Sequence, residues 1–102
     1  MANNLRCGLA PMHPGELLRE DVLPALGRPK TEIARLLGIS RQTLYDILNE
    51  KQPVTAQMAL RIGKLCGNGG DIWMRLQSRY DMRMAEIELG DALDAIPKLE
   101  AA

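Results

Sequence analysis

Between Lys30 and Lys51 the residues Ile33, Leu37, Ile39, Leu44 and Ile47 recur at helical spacing. That spacing lays one apolar stripe along each of two short helices and points both inward. The pattern predicts helices from about Lys30 to Leu37 and from about Arg41 to Leu48, joined by the tight break Gly38-Ile39-Ser40. Ala34 is small where the two must cross closely. Gly38 falls where the turn calls for a positive φ, which costs glycine little. Ser40 stands where an N-cap is wanted, its hydroxyl able to accept from the first amides of the next helix. Arg41, Gln42, Thr43, Tyr45, Asp46 and Asn49 are left outward, on a face the core does not need. This is the pattern of a helix-turn-helix whose second helix has the profile of a DNA recognition helix. A hairpin that only packs is the plainer alternative.

The flanks extend the helical pattern. A first helix begins near His13-Pro14-Gly15-Glu16, because Pro14 suits the first helical position and Glu16 complements the dipole there. Leu17, Leu18, Val22 and Leu23 form its inward face, with Arg19, Glu20 and Asp21 toward water. Pro24 is expected to stop or kink it near Val22. His13 is the only histidine, and capping or a surface position is its expected role. After a loop around Pro53, Thr55 caps a fourth helix with Met58, Ala59, Ile62 and Leu65 inward, and Arg61 and Lys64 outward. Cys66 to Gly70 is a break. Asp71 is expected to cap a fifth helix of about 19 residues, which carries Trp73, Leu76, Tyr80, Met84 and Ile87 and stops at Gly90.

The expected organisation is a flexible arm over 1–11, a helical DNA-binding domain over 12–89 and an acidic tail over 90–102. The second half of the long helix carries Met82, Met84, Ile87 and Leu89, more apolar surface than a five-helix core needs. We read the excess as a dimer interface. The alternative is a tail that folds back, covering it with Leu93, Ile96 and Leu99.

Composition narrows the picture. Apolar residues make up 46% of the 102, yet only three are aromatic and none is Phe, so the core must be aliphatic, which favours helices over a sheet. The net charge is zero, which taken alone counts against nucleic-acid binding, but its distribution is uneven. Residues 28–51 hold five basic against three acidic side chains, and residues 85–102 one against five. A local positive field of this kind predicts moderate, salt-sensitive binding. Cys7 and Cys66 are too few for a metal cluster, and two unpaired thiols are expected. No cofactor is expected. No stretch reaches the ~20 apolar residues of a membrane span, and no long hydrophobic run marks a secretory signal, so a cytoplasmic protein is expected. An enzyme is disfavoured by a single histidine and by the lack of a Gly-rich phosphate loop or a Cys-His pair.

Three further stretches carry a resemblance. Met12 to Glu20, which holds His13-Pro14-Gly15-Glu16, precedes the helix-turn-helix; Thr55 to Arg61 and Ile72-Trp73-Met74-Arg75-Leu76-Gln77 follow it. Together, over about residues 12 to 80, they closely resemble the HigA-type antitoxins of bacterial addiction modules, within the phage-repressor-like (XRE/Cro) helix-turn-helix proteins. The resemblance implies an all-α, lambda-repressor-like domain of five helices, a homodimer, and repression of the operon encoding the protein and its toxin. It implies as partner a small, basic, ribosome-dependent messenger-RNA endonuclease, neutralised by direct binding. The chain departs from the family's usual pattern at Gly67-Asn68-Gly69-Gly70, which bears on the angle of the fifth helix.

At the DNA, Arg41 and Gln42 open the recognition helix and are the first candidates for base edges: arginine for guanine O6 and N7, glutamine for adenine N6 and N7. Thr43 suits a thymine methyl or a phosphate. Tyr45 and Asp46 lie one turn on, the aspartate able to accept from cytosine N4 or to exclude a phosphate. Lys30, Thr31 and Ser40 on one flank, and Asn49 and Lys51 on the other, are the phosphate candidates. A symmetric dimer would set two recognition helices about 34 Å apart on an inverted repeat. A stand-alone regulator without a toxin shares this DNA site and is the alternative reading; a protein-interaction module is the third.

Overall fold

The computed structural model describes residues 12–101. The proposed arm over 1–11, and Cys7 with it, lies outside the described residues. The described residues form an all-α fold. Helix α1 is a continuous run over 14–26, made of an α turn (Pro14–Leu17), a π segment (Leu18–Val22) and a second α turn (Leu23–Leu26). Then come α2 (Lys30–Leu37), α3 (Arg41–Leu48), α4 (Ala56–Cys66), α5 (Asp71–Leu89) and the short α6 (Asp91–Asp94).

Pro24 therefore does not stop α1 near Val22. A proline has no N–H to donate, and its ring presses on the carbonyl four residues earlier. The chain widens instead: the Leu23 amide donates five residues back, to the Leu18 carbonyl. The extra residue in that turn lets the helix continue through the proline to Leu26.

The start of α1 explains the His-Pro-Gly-Glu motif residue by residue. Nδ1 of His13 accepts from the Gly15 amide at 2.9 Å, so the histidine is the N-cap. It is also buried, not on the surface, with its ring edge-on to Tyr80 at 4.8 Å. Gly15 lies so close to α3 that a Cβ there would run into the Ile47 carbonyl. This contact seats α1 against α3, and α1 also meets α5.

α2 packs on α3 and α4, and α4 on α5. The shared core is aliphatic, with Ile33, Leu44, Ile47, Leu48, Val54 and Ile62 around one indole, Trp73. Each such side chain contributes roughly 1.5–3 kcal/mol by leaving water. The indole Nε1 donates to Asn68 Oδ1 at 3.3 Å, which ties the glycine-rich connection to α5. The N-cap of α5 is Gly70, with no side-chain cap bond, and Asp71 is the first helical residue rather than the cap. Its carboxylate still lies in the first turn, where the helix dipole favours it.

α5 runs the expected 19 residues and ends at Gly90. Trp73 and Gln77 are buried on its first half. Beyond Tyr80 the apolar side chains Met82, Met84, Ile87 and Leu89 are all exposed. Leu93, Ile96 and Leu99 are exposed as well, so the tail does not fold back over the stripe.

Candidate nucleic-acid interface

α3 is held by its apolar side and presents its polar side. Leu44, Ile47 and Leu48 are buried, whereas Arg41, Gln42, Tyr45 and Asn49 are exposed, and Thr43 and Asp46 half-buried. Ser40 caps the helix, its Oγ accepting from the Thr43 amide at 3.0 Å. Gly38, with φ +75°, closes α2 in the left-handed conformation that turns the chain into α3. Both helices span the predicted residues.

The start of α2 and the start of α3 converge. Thr31, Ser40, Arg41, Gln42 and Tyr45 line one open concavity, bringing together five of the ten DNA-contact candidates. Lys30 lines a neighbouring hollow with Arg19, Arg28 and Pro29. No side chain caps the N-terminus of α2. Lys51 lies toward the far end of α3, in a hollow shared with His13, Glu50 and Tyr80. Thr43 and Asp46 occupy the same polar side of α3. Asp46 is engaged within it, accepting from Gln42 Nε2 at 2.8 Å.

Two residues expected to face water have structural work here. Arg61 Nη1 donates to the Leu37 carbonyl at 2.7 Å, at the end of α2. Arg19 Nη1 donates to the Leu48 carbonyl, at the end of α3, and its guanidinium also meets Glu20 and Glu50. Each arginine satisfies a carbonyl left over at a helix C-terminus and places a cation where the dipole is negative. The contacts span 24 and 29 residues, so no local spacing announces them.

Gln77 has a similar role from α5. Its Oε1 accepts from the Val54 amide at 2.7 Å and its Nε2 donates to Asp81 at 2.9 Å. The loop that leaves the recognition helix is thereby fastened to the long helix. Burial pushes the His13 imidazole below its ordinary value, against upward pulls from the Glu50 and Asp81 carboxylates. Burial pushes the Cys66 thiol up, away from the reactive thiolate. Among the described residues no group of His, Cys, Asp or Glu is arranged to hold a metal ion, and no helix is long and apolar enough to cross a membrane.

Two helices in this relation, with a polar recognition face outward, define a DNA-binding helix-turn-helix domain. The family described as Helix-turn-helix (HTH_3) matches residues 18–72, more than half the chain. The chain belongs to that family, in its phage-repressor-like (XRE) branch, and within it to the HigA-type group. It is similar to virulence-associated protein I of Dichelobacter nodosus, 36% identical over 75 residues, which span 74% of this chain and 69% of that protein. Among solved structures it is similar to the Pseudomonas aeruginosa antitoxin HigA with the higBA promoter. That match has 34% identity and a TM-score of 0.82, and covers 88% of this chain and 99% of the other. It is also similar to antitoxin GraA in complex with its operator, with 37% identity and a TM-score of 0.83, over 92% and 96% of the two chains.

Proposed function

We propose that this protein is the antitoxin of a type II toxin–antitoxin module. It binds an inverted-repeat operator as a homodimer, represses its own operon, and neutralises a cognate messenger-RNA endonuclease by direct binding. The observation that carries the DNA half is the concavity of Thr31, Ser40, Arg41, Gln42 and Tyr45, on the side of α3 turned away from the core. The two related antitoxins whose structures contain promoter or operator DNA support it.

In this reading Arg41, Gln42, Thr43 and Tyr45 meet base edges. Lys30, Thr31, Ser40, Asn49 and Lys51 meet phosphates and set the register. The uncapped first turn of α2 adds free amides to the charge of Lys30. The exposed stripe Met82, Met84, Ile87 and Leu89 is the dimer face.

The test has two arms. In a gel shift with a duplex from the protein's own promoter, the wild type binds that duplex in preference to random DNA. Arg41→Ala weakens operator binding by roughly 1–3 kcal/mol and blurs preference at one base pair. Failure to prefer its own promoter overturns the DNA half. Co-expression with the adjacent small basic protein yields a stable complex and relieves its toxicity. If no neighbouring product binds, the protein is a stand-alone regulator and the toxin half is wrong.

A further inference from the structure

Two polar side chains on the outward side of α3 pair with each other. Gln42 is exposed, and its Nε2 donates to Asp46 Oδ1, one helical turn on, at 2.8 Å. Pairs at this spacing face each other on a helix. A carboxylate only accepts hydrogen bonds, so Asp46 fixes which way the Gln42 amide is turned. The nitrogen must face the aspartate, with one N–H committed there. One N–H and the oxygen Oε1 remain for a partner beyond the helix.

We propose that Asp46 is a positioning residue for base reading: it locks Gln42 so that α3 selects adenine. This rests on the reading above that α3 enters the major groove. One acceptor and one donor, side by side, match the adenine edge, where N6 donates and N7 accepts. They mismatch guanine, which offers two acceptors, O6 and N7. An unlocked glutamine turns and slides to find whatever single bond is on offer. A locked one presents its acceptor to guanine's O6 and is penalised. Asp46 also sets a negative charge near the phosphates, so it lowers affinity for any duplex while sharpening the choice between them. The two effects have different signatures. In this role Asp46 positions Gln42 rather than reading cytosine itself.

The experiment measures binding to the protein's own operator duplex, to every single-base-pair variant of it, and to a random duplex of equal length. Wild type, Gln42→Ala, Asp46→Ala and Asp46→Asn are compared, each first checked for an unchanged melting temperature. Gln42→Ala identifies the base pair it reads. At that pair the wild type prefers adenine, and Asp46→Ala reduces the adenine-over-guanine preference by about fivefold, the scale of one ordinary hydrogen bond. Asp46→Ala also tightens binding to operator and random DNA alike. Asp46→Asn removes the charge and can donate as well as accept, so it no longer fixes the amide: it tightens binding and loses the preference much as Asp46→Ala does. Two results overturn the inference. In one, Asp46→Ala leaves the Gln42-dependent preference intact. In the other, it flattens a different base pair, which makes Asp46 a reader in its own right. Absence of operator preference in the wild type instead overturns the major-groove reading beneath it.

Discussion

Gln77→Leu is the substitution that most directly probes how the recognition unit is fastened. The side chain is 4% exposed, so leucine fills nearly the same space and little packing is lost. What disappears is the acceptor for the Val54 amide, which lies beside a valine that is itself 1% exposed. That amide then has no partner and little access to water, and an orphaned buried donor costs about 1–3 kcal/mol. Asp81 also loses the Nε2 bond, but it is exposed and rehydrates at small cost. For a domain of this size each kcal/mol lowers the melting temperature by roughly 4–8 °C, so a fall of about 10 °C is expected. Thermal unfolding followed by circular dichroism at pH 7 reads it. Gln77→Glu keeps an acceptor for Val54 but sets a carboxylate beside Asp81. Its deficit should therefore shrink as the pH falls and one carboxyl takes a proton. A Leu variant within about 0.5 kcal/mol of wild type, the scatter of neutral surface changes, would mean that the Val54 amide finds water and that Gln77 fastens nothing.

Four further outcomes follow from the same geometry. Gly38→Ala forces a Cβ into a left-handed residue and against the Arg61 guanidinium; urea unfolding should register a loss of about 1–3 kcal/mol, and no loss would remove both constraints. His13 titrates below its ordinary value of 6.5 in the folded chain, so the unfolded chain binds more protons there. Its stability contribution is full above that pH and is lost as the pH drops toward the lowered folded value. His13→Asn keeps a capping side chain but should flatten this part of the pH–stability curve between wild-type and variant melts. Lys30→Ala should lower the slope of log affinity against log salt by about one on any duplex, and an unchanged slope takes Lys30 out of the contact set. On the proposed reading the wild type sediments as a dimer and Ile87→Asp as a monomer in analytical ultracentrifugation; a monomeric wild type overturns the dimer, and a dimeric variant removes this stripe from its face.

The helices were legible wherever local chemistry decides them. Ser40 and Thr55 cap as their hydroxyls predict, with bonds to the Thr43 and Met58 amides. Ile33, Leu37, Leu44 and Ile47 are buried as their spacing predicts. The misreadings have local causes of their own. Pro24 predicts a stop or a kink near Val22; the helix does not stop there, because a π turn just before the proline carries it on to Leu26. Asp71 has a capping side chain, but Gly70 occupies the cap and leaves it one residue inside. The long-range features had no signature in linear spacing. Arg19 and Arg61 sit on outward helix faces and reach carbonyls across the fold. In the candidate interface, the polar side of α3 could be listed residue by residue from its period. The i,i+4 spacing of Gln42 and Asp46 allows them to pair, but the bond depends on side-chain rotamers that the period does not specify.

The two arginine clamps bear on how such a domain can be re-engineered. Arg19 and Arg61 lie outside the α2–α3 segment, yet each grips the terminal turn of one of its helices. A transplant of residues 30–48 alone into a foreign scaffold would leave both grips behind, and the grafted pair would sit loosely in its new host. Moving the binding preference to another protein therefore means carrying over α1 and α4 as well, or rewriting only the outward side chains of α3 and leaving the frame untouched.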